Sequence, residues 1–286
     1  MVKRELNFEG NSPLLYLVAS PIGNLKEFPP RAIEVLNDMD YVACEDTRNT
    51  GKLLKLFSID KPLISCHEHN EEEASDKIIS LLLGNKKVAY LSDAGYPVVS
   101  DPGARLSKRC LERGVKVSVV NGPNAAIMAL VASGLDSKHF YFYGFLDSKP
   151  SARRKELESL KDFPETIIFY EAPHRIQKTL HDLALIFGDE RRISIGRELT
   201  KKHEEFIRGA LRDVLDLPKE TLLGEMVLVV EGKKKEKEIK EEDMASLLKE
   251  KLQTLKAKDA IKETSLELGI AKNEVYDFYL KNFKKS

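Results

Sequence analysis

Residues 87–103 read KVAYLSDAGYPVVSDPG. The run KVAYL (87–91) is short, apolar and β-branched or aromatic in part, which predicts a buried strand. The chain leaves it through two Ser-Asp pairs, Ser92-Asp93 and Ser100-Asp101, with Gly95 and Pro97 between them and Pro102-Gly103 after them. A helix is expected from about 103 to 113, stopped by Gly114, and a further strand at KVSVV (116–120). The same rhythm runs backwards. LLYLVA (14–19), YVAC (41–44) and LISC (63–66) read as strands, separated by helices at 31–38, 47–57 and 71–84. An apolar helix follows at 124–133. Strands alternating with helices predict a mainly parallel sheet with ligand-binding loops at the C-terminal ends of its strands.

A second unit is expected from 137 to 232. FYFYGF (140–145), TIIFYEA (166–172), RISIGREL (192–199) and GEMVLVVEG (224–232) are its strands, with EEFIRGAL (204–211) between the last two and helices at 151–160 and 174–186. Fewer helices intervene, so the sheet should be mixed. After Gly232 the composition changes to KKKEKEIKEED, a charged linker, and three short helices at 244–255, 258–269 and 273–283. Residues 233–286 hold 14 Lys against 11 acidic residues, a mildly basic tail. The expected domains are therefore 14–136, 137–232 and 233–286.

The chain has 286 residues, with Lys+Arg and Asp+Glu balanced at 46 each, so it carries no global polyanion-binding charge. Three cysteines without a C-x-x-C fit a reducing compartment. The opening MVKRELNFEGNSP lacks a signal-peptide core, and no apolar run is long enough to span a membrane. A soluble cytoplasmic protein is expected.

The loops carry the chemistry. A phosphate site would offer backbone N–H groups and a cation. Residues 92–103 offer Asp93 and Asp101 instead, which suit ribose hydroxyls, amino groups or a positive centre. S-adenosylmethionine has all three. Asp101-Pro102 also resembles a helix N-cap followed by Pro, so Asp101 is expected to cap the next helix while the two Ser-Asp pairs wall a ligand. CEDTRNT (44–50) places Glu45, Asp46 and Arg48 after a strand, with Asp46 or Thr47 as cap. CHEHNEE (66–72) puts His67 and His69 on one side of an extended chain, yet a third ligand at metal spacing is missing, and no metal is expected. YEAPHR (170–175) and RELTKKHEEFIRG (197–209) place Glu171, His174, Arg197, Thr200 and Lys201 at strand ends. No G-x-G-x-x-G follows the first strand, which argues against a nicotinamide dehydrogenase.

Taken in order, PIGNL (21–25), CEDTR (44–48), HEHNE (67–71), SDAGYPVVSDPG (92–103), YEAPHR (170–175), RELTKKHEE (197–205) and Gly224-Glu225 resemble the bacterial ribosomal small-subunit methyltransferase I family. The resemblance spans about 14–232. It implies an α/β, two-domain tetrapyrrole-methylase-like fold with a mainly parallel N-terminal sheet, a mixed second sheet and a small C-terminal helical appendage. It also implies a homodimer that uses S-adenosylmethionine to methylate the ribose 2′-hydroxyl of a cytidine (cytidine 1402) in the decoding region of 16S rRNA within the 30S subunit. Strand-end position and resemblance together assign the donor to Pro21, Asp93, Tyr96, Val98, Val99, Ser100, Ala125, Ala126, Tyr170 and Thr200. The catalytic candidates are Glu171, His174, Arg197 and His67. Arg48, Arg153, Arg154, Lys201 and the tail are the expected phosphate contacts. The chain departs from the family pattern at Tyr96, where a small residue is usual, at Asn49, where His is usual, and at Asp147-Ser148-Lys149. The alternatives are a tetrapyrrole C-methyltransferase on the same fold and a non-catalytic rRNA-binding assembly factor.

Overall fold

In the computed structural model, residues 2, 4, 6–9, 12–234 and 241–283 are described. The linker expected at 233–243 lies largely outside them. The chain forms two compact units, Met1–Lys233 and Lys234–Ser286. No helix among the described residues is long and apolar enough to cross a membrane.

The first unit contains two five-stranded sheets. The first sheet is built from β1 (Leu14–Val18), β2 (Tyr41–Cys44), β3 (Leu63–Ser65), β4 (Val88–Leu91) and β5 (Lys116–Val120) in the order β3-β2-β4-β1-β5. Every pairing is parallel. Intervening helices are α1 (Pro30–Asp38), α2 (Thr47–Leu56), α3 (Glu71–Leu83) and α4 (Ala104–Glu112). The central strand β4 has all four residues buried, as a strand covered on both faces requires. One core joins Leu15, Leu17, Tyr90 and Ile78 of α3; the other joins Val18, Leu91, Leu36 of α1 and Leu54 of α2.

Helix α5 (Ala125–Ser133) follows β5 in the chain but packs elsewhere. Ala126, Ala129 and Leu130 share a core with Ile168, Val227 and Val229 of the second sheet. The small residues let the helix lie close against the strands. The link between the two sheets is thus a helix buried on the second of them.

The second sheet contains β6 (Phe140–Phe145), β7 (Thr166–Glu171), β8 (Arg192–Arg197), β9 (Glu205–Ala210) and β10 (Met226–Val230), ordered β6-β7-β10-β8-β9. The β6–β7 pair is parallel and the others antiparallel, so the sheet is mixed. Helices α6 (Pro150–Leu160) and α7 (Ile176–Phe187) cover the face opposite α5, through Leu157, Leu180 and Leu183. A short helix α8 (Leu211–Leu215) follows β9, and a 3-10 turn occupies Lys219–Leu222.

The second unit has α9 (Glu241–Lys251), α10 (Ala257–Leu268) and α11 (Lys272–Asn282) around Leu248, Ala260, Ile261 and Val275. Gly269 ends α10 in the left-handed conformation (φ 68°), which glycine adopts without the usual Cβ penalty.

Candidate active site

Because β1 to β5 are parallel, the loops after them meet along one edge. In the second sheet, β6, β7 and β8 end, and β10 begins, at a common edge. A cavity of about 440 Å³ lies between the two sets of ends. That is within the usual range for small-molecule sites. Ile22, residues 94–96, 99–101 and 124–125 form the first-sheet side. Phe145, Tyr170, Glu171, Leu199, Glu225 and Val227 contribute to the other.

Residues 92–103 are held in place from several directions. Gly95 makes an antiparallel bridge to Ser20, with N–H···O distances of 2.9 and 3.1 Å. Ser92 Oγ donates to Gly95 O at 2.9 Å. The Tyr96 hydroxyl contacts Asn121 Oδ1 and accepts from Gly122 N at 3.2 Å, tying this loop to the one after β5. Tyr96 is therefore a tie between two cavity loops. Val98 (φ 77°) and Ser100 (φ 62°) are non-glycine residues in the left-handed region. Across the cleft the loop after β8 has two more, Glu198 (φ 50°) and Thr200 (φ 67°). Such strain costs about 1–3 kcal/mol per residue and persists only where surroundings enforce it, a pattern common at functional sites.

Asp101 does not cap α4, contrary to expectation. The N-cap is Gly103 (φ 111°), and a single oxygen of another motif, Glu71 Oε1, accepts from Gly103 N (3.1 Å), Arg105 N (2.9 Å) and Leu106 N (3.1 Å). A buried carboxylate at a helix N-terminus satisfies three otherwise unpaired donors and the helix dipole together. Gly103 has no room for a side chain, since a Cβ would stand 2.8 Å from the Tyr90 ring. Glu71→Gln is expected to lose about 1–3 kcal/mol of stability. It should also weaken ligand binding in the cavity, because residues 98–103 lose their anchor. Chemical denaturation checks the first and calorimetry the second; unchanged values for both would show that the bonds are incidental.

Carboxylates dominate the electrostatics. Burial, then Glu45 and Asp93, push Asp101 up to about 7. Burial and Asp93 also raise Glu45, which His67 partly offsets. Among the described residues no lysine or arginine lines the cavity, whereas Asp101, Glu171 and Glu225 do. Glu171 and Glu225 are paired with Arg175 and Lys201 outside that lining, so the cavity wall offers a polyanion no direct cationic contact.

Of the residues expected to hold the donor, Tyr96, Val99, Ser100, Ala125 and Tyr170 line the cavity. Val98 is packed against the first sheet's core, and Ala126 is buried on the second. Pro21 and Asp93 border a separate space of about 180 Å³, with Asn49 and Thr50. Asp93 is turned toward α2: Oδ1 accepts from Asp46 N (3.4 Å) and Oδ2 from Asn49 Nδ2 (2.9 Å). Thr200 stands beside Gly23, where a Cβ would meet its Oγ1 at 2.8 Å.

The four catalytic candidates do not converge. Glu171 lines the cavity, but its carboxylate is engaged by Thr179 Oγ1 (2.5 Å), Ala172 N (2.8 Å) and Arg175 Nε (3.1 Å). Arg197 donates to Glu205 Oε2 (2.9 Å) and Leu223 O (3.2 Å). His174 is exposed after β7. His67 sits in a loop, not on a strand, because β3 stops at Ser65, and its Nδ1 is buried with no hydrogen-bond partner.

Among the phosphate candidates, Arg153 is a correction. It is buried, and donates through Nε (2.8 Å) and Nη2 (2.6 Å) to Asp182 Oδ2, so it has no reach to a surface ligand. Arg154 shares Asp182 (2.7 Å) but remains half exposed. Arg48 is exposed and paired to Asp46, whose carboxylate its guanidinium pulls down to about 2. Lys201 lies between Glu198 and Glu225, both at 2.9 Å. Burial works to lower its pKa, but those carboxylates outweigh it and the pKa is raised. Asp101, read from sequence as part of a ligand wall, lines the cavity, and so do Asn124, Phe145, Leu199 and Glu225, which were not selected from sequence as ligand contacts. Phe145 was legible only as an apolar strand end; it packs at 5.5 Å from the Tyr170 ring.

The model of the tetrapyrrole (corrin/porphyrin) methylases matches residues 14–215. The fold resembles a uroporphyrin-III-C-methyltransferase from Thermus thermophilus (TM-score 0.54, 22% identity, covering 77% of this chain and 94% of that one). It also resembles the cobalt precorrin-4 methyltransferase of cobalamin biosynthesis (TM-score 0.57, 16% identity, covering 76% and 94%). At those identities the likeness establishes the fold alone. In sequence the chain is 45% identical to the ribosomal RNA small subunit methyltransferase I of Bacillus subtilis, over 98% of this chain and 99% of that protein. It is 40% identical to that of Haemophilus influenzae, over 95% and 98%. The superfamily's methyl donor is S-adenosylmethionine. With a methylase match that takes in the first sheet and the second as far as α8, and identity at this level along nearly the whole length, the chain belongs to the ribosomal RNA small subunit methyltransferase I family of tetrapyrrole-fold methylases.

Proposed function

We propose that this chain methylates 16S rRNA, and specifically the ribose 2′-oxygen of a cytidine, cytidine 1402, in the decoding region of the small subunit. The observation that carries this reading is the cavity at the joined strand ends: among the described residues it is lined by three acidic side chains and by no lysine or arginine. That lining fits S-adenosylmethionine, whose sulfonium and amino groups are positive. Gly95 and Ala125 keep two walls short enough for a ligand to approach the backbone, and Tyr170 with Phe145 supplies an aromatic surface for a base. The same lining speaks against a tetrapyrrole acceptor in this cavity, because a polycarboxylate needs arginine or lysine partners.

When bound, the donor supplies a methyl group on a positively charged sulfur. The protein's part is positional and electrostatic. The strained turns at Val98 and Ser100 fix the wall that faces the second sheet. Tyr96 and Glu71 hold that wall from either end. Phosphate contacts come from Arg48, Arg154 and the basic tail. With equal numbers of positive and negative residues overall, the assembled 30S subunit is the better substrate than naked RNA, and the family resemblance adds a cytoplasmic homodimer as the working form. Calorimetric titration tests the donor half of the reading. S-adenosylhomocysteine should bind one site per chain, with Kd in the micromolar range (about −8 kcal/mol), and NAD should not bind. Binding of NAD, or of neither sulfur compound in the presence of 30S particles, would refute it.

A further inference from the structure

We infer that Asp101 is the catalytic residue that accepts the proton of the acceptor hydroxyl. The inference rests on the methyl-transfer reading above and deepens it. A hydroxyl attacking the donor methyl must shed a proton as the oxygen–carbon bond forms. The carbon–sulfur bond breaks at the same time and its electron pair stays on sulfur, leaving a neutral thioether. Transfer of the proton to a carboxylate balances the step without another reactant, and such general-base assistance contributes about 10²–10⁴-fold.

Elimination among the cavity groups leaves one candidate. Glu171 is occupied by Thr179, Ala172 N and Arg175. Glu225 is bound to Lys201 and largely exposed. Asp101 lines the cavity, is partly buried, and accepts no hydrogen bond from any described residue. Ser100, left-handed at φ 62°, turns the chain immediately before it. Had Asp101 capped α4, its oxygens would be spent on backbone donors; Glu71 takes that role and leaves Asp101 free.

The groups around it suit a base. Glu45 after β2 and Asp93 in its own loop repel its charge, and Tyr90 of β4 and Tyr170 of β7 are the other titratable groups that feel it. Among the described residues no cation acts on it. With its ionisation displaced to about 7, chiefly by burial, Asp101 is a far stronger proton acceptor than an ordinary aspartate. The linkage has a definite sign. The folded carboxyl holds its proton at pH values where the unfolded chain has lost it, so the native state binds more protons between about 4 and 7. Stability conferred by the protonated form is present at the low end of that window and is lost as pH rises through about 7.

The test compares wild type with Asp101→Asn and Asp101→Glu, using S-adenosylhomocysteine titration, single-turnover methylation of 30S particles from pH 5.5 to 9, and thermal melts at pH 5 and pH 8. Asp101→Asn should bind S-adenosylhomocysteine within about threefold of wild type and methylate about 10²–10⁴-fold more slowly. The wild-type rate should climb about tenfold per pH unit below 7 and level off above it; Asp101→Asn should lose that limb. The variant should melt higher than wild type at pH 8 and not at pH 5. Asp101→Glu should recover part of the rate. A loss of S-adenosylhomocysteine affinity beyond 100-fold would assign Asp101 to donor binding and overturn the inference. So would an Asp101→Asn enzyme with the wild-type rate and pH profile. Wild type that binds the ligand but methylates no 30S particle would refute the methyl-transfer reading itself, and the inference with it.

Discussion

Replacing Asp182 with alanine is expected to destabilise the first unit by about 3–5 kcal/mol, a large part of what holds a domain folded. Asp182 on α7 receives two bonds from Arg153 and one from Arg154, both on α6. The Arg153 side chain is 3% exposed and that of Asp182 4%. Removing the carboxylate strands a guanidinium that is always charged in a place water does not reach. The cost comes from the unpaired charge and not from the pair's own worth, which gives a second result to look for. A double variant, Arg153→Met with Asp182→Leu, should recover most of the loss, since apolar side chains of similar volume often replace a buried ion pair at little cost. Urea denaturation of the three proteins decides it. A loss below about 1 kcal/mol for Asp182→Ala would mean that water reaches Arg153. The same reasoning removes Arg153 from the RNA contacts: any effect of its substitution on methylation would arise through folding.

Filling the cavity should be as decisive for ligand binding. Ala125 opens α5 and lines the cavity, while its neighbour Ala126 is buried against the second sheet. Ala125→Phe places a ring in the space and leaves the buried α5 residues Ala126, Ala129 and Leu130 themselves unchanged. The expected result is a loss of S-adenosylhomocysteine affinity of at least about 100-fold, or about 2.7 kcal/mol, with an unchanged melting temperature in the absence of ligand. Wild-type affinity in this variant would place the donor elsewhere.

The architecture was largely readable because its signals are local. YVAC, KVSVV and FYFYGF begin and end as strands where their apolar runs do. Asp46 caps α2 as its position suggests. The misreadings have one physical origin, which is that a partner distant in sequence decides the role of a polar residue. Asp101-Pro102 carries the local signature of a helix start, yet Glu71, in another motif, supplies the acceptor. Arg153 and Arg154 read as one basic surface pair, and Asp182 on the next helix buries the first of them. Asp93 sits in the right loop but is drawn to Asn49. Glu171 ends its strand beside the cavity, and Thr179 and Arg175 absorb its charge. Sequence identified the right loops; which side chain in each loop remains free depends on contacts across the fold.

The central claim concerns what reaches the acceptor and where on it. The measurement that addresses it most directly is incubation of the purified protein with isotopically labelled S-adenosylmethionine and unmethylated 30S particles, followed by digestion of the 16S rRNA to nucleosides and mass spectrometry. The account predicts label in 2′-O-methylcytidine, one per particle, and none when Ala125→Phe replaces the wild type. Label on the cytosine base, label spread over several nucleosides, or no label from a protein that binds the donor would contradict it.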